Sequence, residues 1–215
     1  MIYRTDTYWE DRYNQEGIKT PVSKNVHPQD KYDEKIGNDC KIINDSLEPL
    51  FKATSVDLAI DCGCGCGRLT PVLFRYGKKI KGFDISPKAI SLADGFVGYF
   101  SKPVEFICSP LTSIPLEDGI SGLSLSWTVL QHISDPDEWK KAIDEIQRVV
   151  KVNGVILTYD NVEWNLNRMK NPEVKVPEHM SIKSANDYLF AFDRCDCLHQ
   201  KMYNKHVLTV LRKVK

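Results

Sequence analysis

Short apolar segments alternate with amphipathic ones along most of the chain, and this alternation predicts its secondary structure. The apolar segments Val56–Ile60, Lys79–Phe83, Val104–Cys108, Gly122–Trp127 and Val155–Tyr159 each have the length and composition of a β-strand. Amphipathic segments with apolar residues at helical spacing lie between them. Strands that alternate with helices predict an α/β fold, built on a mostly parallel sheet that is covered on both faces.

Capping and turn residues refine these boundaries. Ser86 and Pro87 predict a helix start, because serine is a preferred N-cap and proline suits the first helical position. Asn153-Gly154 is predicted to end the helix that precedes the fifth strand. The C-terminal segments Cys195–Tyr203 and His206–Arg212 are predicted to form an antiparallel pair. The predicted helices are Tyr8–Gln15, Asn38–Lys52, Arg68–Tyr76, the segment after Ser86, Pro136–Val150 and Ser184–Phe192.

Composition and charge narrow the functional classes. The 215 residues are 42% hydrophobic and carry 29 basic and 29 acidic side chains, so the chain lacks the basic field of many nucleic-acid-binding proteins. No apolar run has the length of a transmembrane helix, and the N-terminus does not resemble a signal peptide. The seven cysteines are therefore expected to be reduced thiols in the cytoplasm.

Residues 60–67 read I-D-C-G-C-G-C-G and connect the first predicted strand to the next helix. Glycines at 63, 65 and 67 allow a tight turn whose backbone approaches a ligand closely. The spacing differs from the dinucleotide fingerprint G-x-G-x-x-G, because the third glycine comes one residue early. The alternating cysteines leave a metal site and a redox site as alternatives to a backbone turn, although zinc sites usually contain C-x-x-C pairs.

Parallel strands bring distant residues to one edge of a sheet, and ligands bind at the carboxyl ends of such strands. Asp61–Gly67, Asp84, Ser109–Leu111, Trp127–His132 and Asp160 all follow predicted strands. We therefore expect these residues to share one rim. Asp84 ends the second strand, where an acidic side chain can bind both hydroxyls of a ribose.

Four blocks of the sequence resemble the class I S-adenosylmethionine-dependent methyltransferases. They read A-I-D-C-G-C-G-C-G-R-L-T, G-F-D-I-S-P-K-A-I-S-L-A, L-S-W-T-V-L-Q-H-I-S-D-P-D and I-Q-R-V-V-K-V-N-G-V-I-L-T-Y-D. The resemblance implies a doubly wound, seven-stranded, mostly parallel Rossmann-like sheet with an antiparallel C-terminal hairpin. It also implies a single domain over residues 1–215, with N-terminal cap helices in residues 1–55, a cofactor-binding core in residues 56–215 and an acceptor loop near residues 160–183.

The resemblance further implies a site for S-adenosylmethionine and its product S-adenosylhomocysteine. The glycine turn corresponds to the loop around the methionine part, Asp84 to the ribose ligand, and Ile85 to an apolar wall for adenine. Ser126 and Trp127 would lie under the sulfonium. The implied cofactor-binding residues are Asp61, Gly63, Gly65, Gly67, Arg68, Asp84, Ile85, Ser109, Pro110, Leu111, Ser126 and Trp127.

The sequence departs from the family pattern at the adenine edge. Many relatives have an aspartate where this chain has Ser109-Pro110-Leu111, so a backbone group or Thr112 is expected to replace its contact with the adenine amine. The cysteines suit the crowded turn by their small size and weak polarity, and no metal is expected.

His132 is the leading candidate for a general base, because histidine titrates near neutral pH and this one follows the fourth strand. A histidine that only caps or packs is the alternative. Asp160, a second catalytic candidate, and Asn161, a candidate acceptor ligand, end the fifth strand; the alternative is an ordinary turn pair. Trp9 and Tyr13 either form a lid over the cofactor and acceptor or belong to a helix that docks on the sheet.

The sequence thus predicts an enzyme that transfers a methyl group to an oxygen or nitrogen atom of a small-molecule acceptor. The segments D-C-G-C-G-C-G-R-L-T, H-I-S-D and Y-D-N also resemble the protein N-terminal amine methyltransferases, so a peptide or protein amine is the alternative acceptor. In that group the histidine and the aspartate hold or deprotonate the amine.

A non-catalytic S-adenosylmethionine-binding module and a dinucleotide oxidoreductase are further alternatives. No nucleic acid or membrane partner is expected, and the chain is expected to be a monomer or a homodimer.

Overall fold

The apolar segments of the chain pair into one sheet, as the sequence pattern predicts. The computed structural model describes residues 5–17, 29–52, 54–95, 102–162 and 179–215. Most of the predicted acceptor loop and parts of the predicted N-terminal cap lie outside these residues. The strands are β1 (Val56–Cys62), β2 (Gly77–Asp84), β3 (Val104–Cys108), β4 (Ser121–Trp127), β5 (Val150–Asn161), β6 (Cys195–Tyr203) and β7 (His206–Lys213).

The sheet has seven strands in the order β3-β2-β1-β4-β5-β7-β6. Strands β1 to β5 pair in parallel, and β7 lies antiparallel between β5 and β6. This topology confirms the predicted α/β class, the predicted parallel sheet and the antiparallel C-terminal pair. It also brings the carboxyl ends of β1, β2, β3, β4 and β5 to the same edge.

Five α-helices lie in the described residues, together with two 3-10 turns. Ser86 caps the third helix as predicted, because its hydroxyl accepts a hydrogen bond from the backbone N–H of Ala89 at 3.1 Å. The helices are α1 (Thr5–Glu16), α2 (Gln29–Phe51), α3 (Pro87–Asp94), α4 (Pro136–Val149) and α5 (Ala185–Ala191), and the 3-10 turns are Thr70–Arg75 and Leu130–His132. None of the helices in the described ranges has both the length and the apolar character that crossing a membrane requires.

Three predictions were wrong in bounds or in type. Helix α2 begins at Gln29 instead of the predicted Asn38, because its first turns are mostly polar and lack the apolar spacing on which the prediction depended. Thr70–Arg75 is a short 3-10 turn instead of the predicted α-helix at Arg68–Tyr76, because its backbone bonds join residues three apart, as from Tyr76 N–H to the Leu73 carbonyl. Asn153-Gly154 does not cap α4, since that helix ends at Val149 and β5 begins at once. Residues 151–154 instead bulge from the ladder between β4 and β5.

Apolar side chains on the two faces of the sheet form separate clusters. On one face, α4 and α5 pack over residues of β1, β5 and β7 through side chains such as Ile143, Ile146 and Phe192. On the other face, α2 and the Thr70–Arg75 turn cover β1, β4 and β5, with Leu125 at the centre. Coverage of both faces explains why the central strands β1 and β4 are almost wholly buried.

We predict that Leu125→Ala lowers the free energy of unfolding by about 2–5 kcal/mol, because it leaves a cavity in the middle of the sheet. Leu125 is 0% exposed, whereas Val152 on β5 is 52% exposed and provides the control Val152→Ala. Urea unfolding monitored by circular dichroism measures both variants. Equal stabilities of the two variants would contradict the assignment of Leu125 to the core.

Candidate cofactor and acceptor site

A cavity of about 200 Å³ lies at the edge where the parallel strands end. It is bordered by residues that follow β1, β2, β3 and β4 and by the inner face of α1, so it joins parts of the chain that are distant in sequence. Its lining comprises Trp9, Tyr13, Asp61, Gly63, Cys64, Gly65, Arg68, Leu69, Asp84, Ile85, Pro110, Leu111, Thr112, Trp127, Thr128, Val129, His132, Ile133 and Glu138.

The glycine turn after β1 has a backbone that only glycine adopts easily. Gly63, Gly65 and Gly67 have φ values of 76°, 55° and 77°. The space beside each glycine is also filled. A Cβ atom would clash with Val129 at Gly63 and with the Tyr13 hydroxyl at Gly65. The turn is fixed to β2, because the backbone N–H of Gly63 donates to the Phe83 carbonyl at 2.7 Å.

The three cysteines of this turn fill gaps between the turn and its neighbours. The Sγ of Cys62 lies 3.4 Å from the Ser124 hydroxyl, and Cys66 packs against Tyr13. Cys64 belongs to a small cluster with Phe106. Burial raises the pKa of all three thiols, that of Cys62 to about 12, which makes the reactive thiolate scarce. No group of side chains within the described ranges is arranged to hold a metal ion. The contacts of the three cysteines with their neighbours favour a packing role for these side chains.

Asp84 connects the glycine turn to the start of α3. One carboxylate oxygen accepts from the Gly65 N–H at 2.9 Å, and the other accepts from the Ser86 N–H at 3.0 Å. Burial raises the pKa of Asp84, and these backbone donors oppose the rise. The carboxylate is therefore held in place at the cavity wall, and each oxygen retains a second lone pair.

Asp61 lies deeper in the same wall and is 3% exposed. Its Oδ2 accepts a hydrogen bond from the Thr70 hydroxyl at 2.7 Å. Burial raises the pKa of Asp61 to about 6, and the Asp84 carboxylate adds to the increase. A cationic group in the cavity would favour the charged form of both carboxylates. The site is thus suited to a positively charged ligand.

Arg68 follows the glycine turn and connects it to α2. Its Nη1 atom lies 3.1 Å from Oδ2 of Asp39, and both side chains are almost fully buried. Lys35 contacts the same carboxylate oxygen at 3.0 Å. Arg68 lines the cavity, and its guanidinium group is paired with the Asp39 carboxylate.

Part of the segment after β3, which is the predicted adenine edge, faces the cavity. The Ser109 hydroxyl is turned into its own loop, where it donates to the Ser113 carbonyl at 2.8 Å. Ser109 is therefore outside the cavity lining, whereas Pro110, Leu111 and Thr112 belong to it. Thr112 thus places a hydroxyl-bearing side chain on the wall where many relatives have a carboxylate.

Helix α1 covers the glycine turn. The Oε2 of Glu10 accepts hydrogen bonds from the Ser86 hydroxyl at 2.6 Å and from the Lys88 N–H at 3.0 Å, so α1 is anchored at the N-terminus of α3. Tyr13 is 4% exposed and lies against Gly65. Trp9 contacts the His132 ring edge-to-face, with ring centroids 4.8 Å apart. Both aromatic residues predicted to form a lid therefore line the cavity.

His132 lies at the other end of the cavity, on the 3-10 turn after β4. Its Nδ1 is 3.0 Å from the His179 carbonyl, and its Nε2 is 3.1 Å from the Nε2 of Gln131. The carbonyl needs a donor and the amide nitrogen is a donor, so the neutral tautomer with its proton on Nδ1 satisfies both contacts. Burial lowers the pKa of His132 to about 4, so the ring is neutral at neutral pH.

Asp160 and Asn161 lie beneath this turn instead of lining the cavity. Oδ1 of Asp160 accepts from the Gln131 N–H at 3.2 Å, and the side chain is fully buried. Burial raises the pKa of Asp160 to about 7. The Asn161 N–H donates to Oε1 of Gln131 at 2.6 Å. Both residues therefore contact the candidate base through Gln131, which the sequence pattern did not single out.

The remaining predicted residues differ in exposure. Trp127 lines the cavity and stacks on Tyr159, with ring centroids 4.0 Å apart. Ser126 is fully buried within the sheet, and Gly67 packs against Phe106 below the turn, so neither belongs to the lining. Thr128 also lines the cavity and has a positive φ of 58°, which is unusual for a β-branched residue.

The cavity therefore unites most of the predicted site residues but not all of them. The lining includes all the predicted residues except Gly67, Ser109, Ser126, Asp160 and Asn161. Leu69, Ile133 and Glu138 line the cavity but lie outside the predicted rim segments, although Ile133 directly follows the predicted segment Trp127–His132. His179 lies within the predicted acceptor loop near residues 160–183, but the sequence did not indicate that its backbone carbonyl contacts His132.

Comparison with known proteins indicates a methyltransferase domain. Residues 60–158 match the family model of the methyltransferase domain. The chain is 32% identical to ajmaline N-methyltransferase from Rauvolfia serpentina over 50% of its own length and 37% of that enzyme. It is 25% identical to N-terminal Xaa-Pro-Lys N-methyltransferase 1 from Xenopus tropicalis over 68% of each chain. The first three curated relatives are matched over only 24%, 37% and 31% of their lengths.

A solved structure has the same fold over nearly the whole chain. The N-methyltransferase NodS from Bradyrhizobium japonicum, crystallised with S-adenosylhomocysteine, superposes with a TM-score of 0.70 over 99% of this chain and 100% of its own. Its sequence identity of 15% limits this likeness to the fold. Taken with the family model over residues 60–158 and the sequence relatives, this fold supports a class I S-adenosylmethionine-dependent methyltransferase.

Proposed function

We propose that the protein transfers a methyl group from S-adenosylmethionine to an oxygen or nitrogen atom of a small-molecule acceptor. The observation that carries this proposal is the single cavity, which joins the glycine turn and Asp84 at one end to His132 at the other. Such continuity is what direct transfer between two bound molecules requires, because catalysis depends largely on their alignment.

The residues of the first half of the cavity fit the cofactor. Asp84 is held by two backbone donors and has lone pairs left for the ribose hydroxyls, and Asp61 provides a second carboxylate for the ammonium group. Ile85 and Leu111 offer apolar surface to the adenine ring. When bound, S-adenosylmethionine supplies a methyl group already activated by its sulfonium charge.

The second half of the cavity fits an acceptor. Trp9 of α1 closes it from above, whereas Tyr13 lies over the glycine turn, and His132 faces it from the turn after β4. As a neutral ring, His132 can take the proton that the acceptor nitrogen or oxygen loses, at its Nε2 atom. Asp160 and Asn161 act in this proposal by holding the turn that carries His132.

A peptide or protein amine is the second candidate acceptor. Two observations favour it: the match to a relative named for an N-terminal amine, and the connection of His132, Asp160 and Asn161 through one residue, Gln131. The excess of carboxylates over unpaired cations in the cavity lining suits either kind of amine. The difference between the two candidates is therefore the size of the acceptor.

We predict that Asp84→Asn weakens binding of S-adenosylhomocysteine about 10-fold to 100-fold, because it replaces a charged acceptor of hydrogen bonds by a neutral amide. The matched control is Asp57→Asn, which changes an exposed carboxylate on β1 that is paired with Lys78. Isothermal titration calorimetry measures both variants against the unmodified chain. Similar affinities of Asp84→Asn and Asp57→Asn would contradict the assigned role of Asp84.

The acceptor proposal is tested by measuring release of S-adenosylhomocysteine with a panel of small amines and hydroxyl compounds and a panel of short peptides. We expect turnover with members of the first panel. Turnover only with peptides would replace the first candidate by the second. Binding of S-adenosylhomocysteine without turnover on either panel would favour a non-catalytic binding module.

We predict that His132→Ala lowers kcat by about 100-fold or more with the acceptor found in this way, because it removes the candidate base. The affinity for S-adenosylhomocysteine should remain within about twofold of the unmodified chain, since His132 lies at the acceptor end of the cavity. His199→Ala, on the exposed strand β6, is the control. Unchanged turnover of His132→Ala would reject the role of this ring as a base.

A further inference from the structure

Gln131 contacts several parts of the acceptor end of the site. It is 6% exposed and lies next to the candidate base on the 3-10 turn. Its backbone N–H donates to Asp160, and its backbone carbonyl accepts from the Ser181 N–H at 2.7 Å. Its side chain contacts Asn161 through Oε1 and His132 through Nε2. One residue thus joins the turn, the end of β5 and the segment near residue 181.

The orientation of the Gln131 amide is fixed by its partners. The backbone N–H of Asn161 can only donate, so the atom 2.6 Å from it must be the amide oxygen of Gln131. The NH₂ group therefore points to His132, where it donates to Nε2. On the opposite side of the ring, the His179 carbonyl accepts from Nδ1. A donor on one side and an acceptor on the other leave the neutral Nδ1–H tautomer as the form that satisfies both.

We infer that Gln131 is a positioning residue that holds His132 in this neutral tautomer and thereby sets the pH range in which the ring accepts a proton from the acceptor. This inference rests on the proposed function. A proton on Nε2 would face the NH₂ group of Gln131, so the amide opposes formation of the imidazolium ion. When the acceptor donates its N–H or O–H to Nε2, it takes the place of the Gln131 amide at that lone pair. Gln131 also holds Asn161 and Ser181, so it orients the ring and the neighbouring segment together.

Other charged and titratable groups also lie near the His132 ring. Arg12 of α1 and His179 both disfavour a positive charge on the ring. Glu138 of α4 lines the same cavity, and Asp160 of β5 lies on the far side of the turn. A substitution at Gln131 leaves all these groups in place. Its effect on the titration of His132 therefore reports the contact between the two side chains.

Gln131→Glu is the substitution that isolates this contact. It preserves the size of the side chain and an oxygen that accepts from Asn161, and it replaces the NH₂ donor by a second acceptor. The His132 ring then has an acceptor on each side, and the imidazolium ion is the form that satisfies both. The matched control is Gln200→Glu on β6, where Gln200 contacts Ala185 and Thr209.

The first measurement is the ¹⁵N chemical shift of the histidine rings in the unmodified full-length chain, with His132 assigned by its absence in His132→Ala. We expect protonated Nδ1 and unprotonated Nε2. The opposite tautomer would overturn the inference even if Gln131→Glu failed to fold.

The second measurement is an NMR titration of His132 in the variants. In Gln131→Glu we expect the titration midpoint to rise from about 4 to roughly 6 or higher, and in Gln200→Glu we expect no change. An unchanged midpoint in Gln131→Glu would contradict the inference. This result does not depend on methyl transfer, so it separates failure of the inference from failure of the proposed function.

The third measurement is the pH profile of kcat with an acceptor that supports turnover. We expect the acid limb of the Gln131→Glu profile to move to higher pH by the same interval as the His132 titration. A role of Gln131 in folding alone would lower kcat without moving this limb. If the His132 titration midpoint shifts while the acid limb of the kcat profile does not, Gln131 does not affect turnover through His132.

Discussion

The hydrogen bond from the Gly65 N–H to the Asp84 carboxylate joins the two elements on which the proposed cofactor half of the site depends. It connects the turn after β1 to the end of β2, whose strands are already paired in parallel. The turn reaches this position only with glycine at 63, 65 and 67, where the backbone has positive φ and the neighbouring side chains leave no space for a Cβ. The carboxylate is thereby held at the cavity wall before any ligand arrives, which lowers the entropic penalty of binding.

The acceptor half of the site is organised by side chains instead of by the backbone. There, Gln131 and Asp160 hold the 3-10 turn that follows β4, and His132 connects that turn to the His179 carbonyl. Helix α1 lies over both halves, with Glu10 anchored at α3 and Trp9 against His132. A movement of α1 would consequently affect both ends of the cavity at the same time.

Much of the cofactor half could be predicted from the sequence, because its determinants are local. The glycine spacing, the acidic residue at the end of the second strand and the parallel arrangement of strands suffice to place Asp61, Asp84 and Leu111 on one cavity. The position of the Asp160 side chain was harder to predict from the sequence. It also ends a strand, yet its side chain points to backbone donors of the neighbouring turn and is fully buried. Gln131 falls in the predicted rim segment Trp127–His132, but its contacts could not be predicted, since Asn161 lies 30 residues away and Ser181 lies further still.

The central claim is that the glycine turn and Asp84 form the binding site for S-adenosylmethionine, with the transferred methyl group directed towards His132. The most direct test is a crystal structure of the chain with S-adenosylhomocysteine. The account predicts ribose hydroxyls on the Asp84 carboxylate, the methionine part along the turn at Gly63 and Gly65, and the sulfur atom facing the cavity between Trp9 and His132. A ligand bound elsewhere, with the Asp84 carboxylate in contact with solvent only, would contradict it.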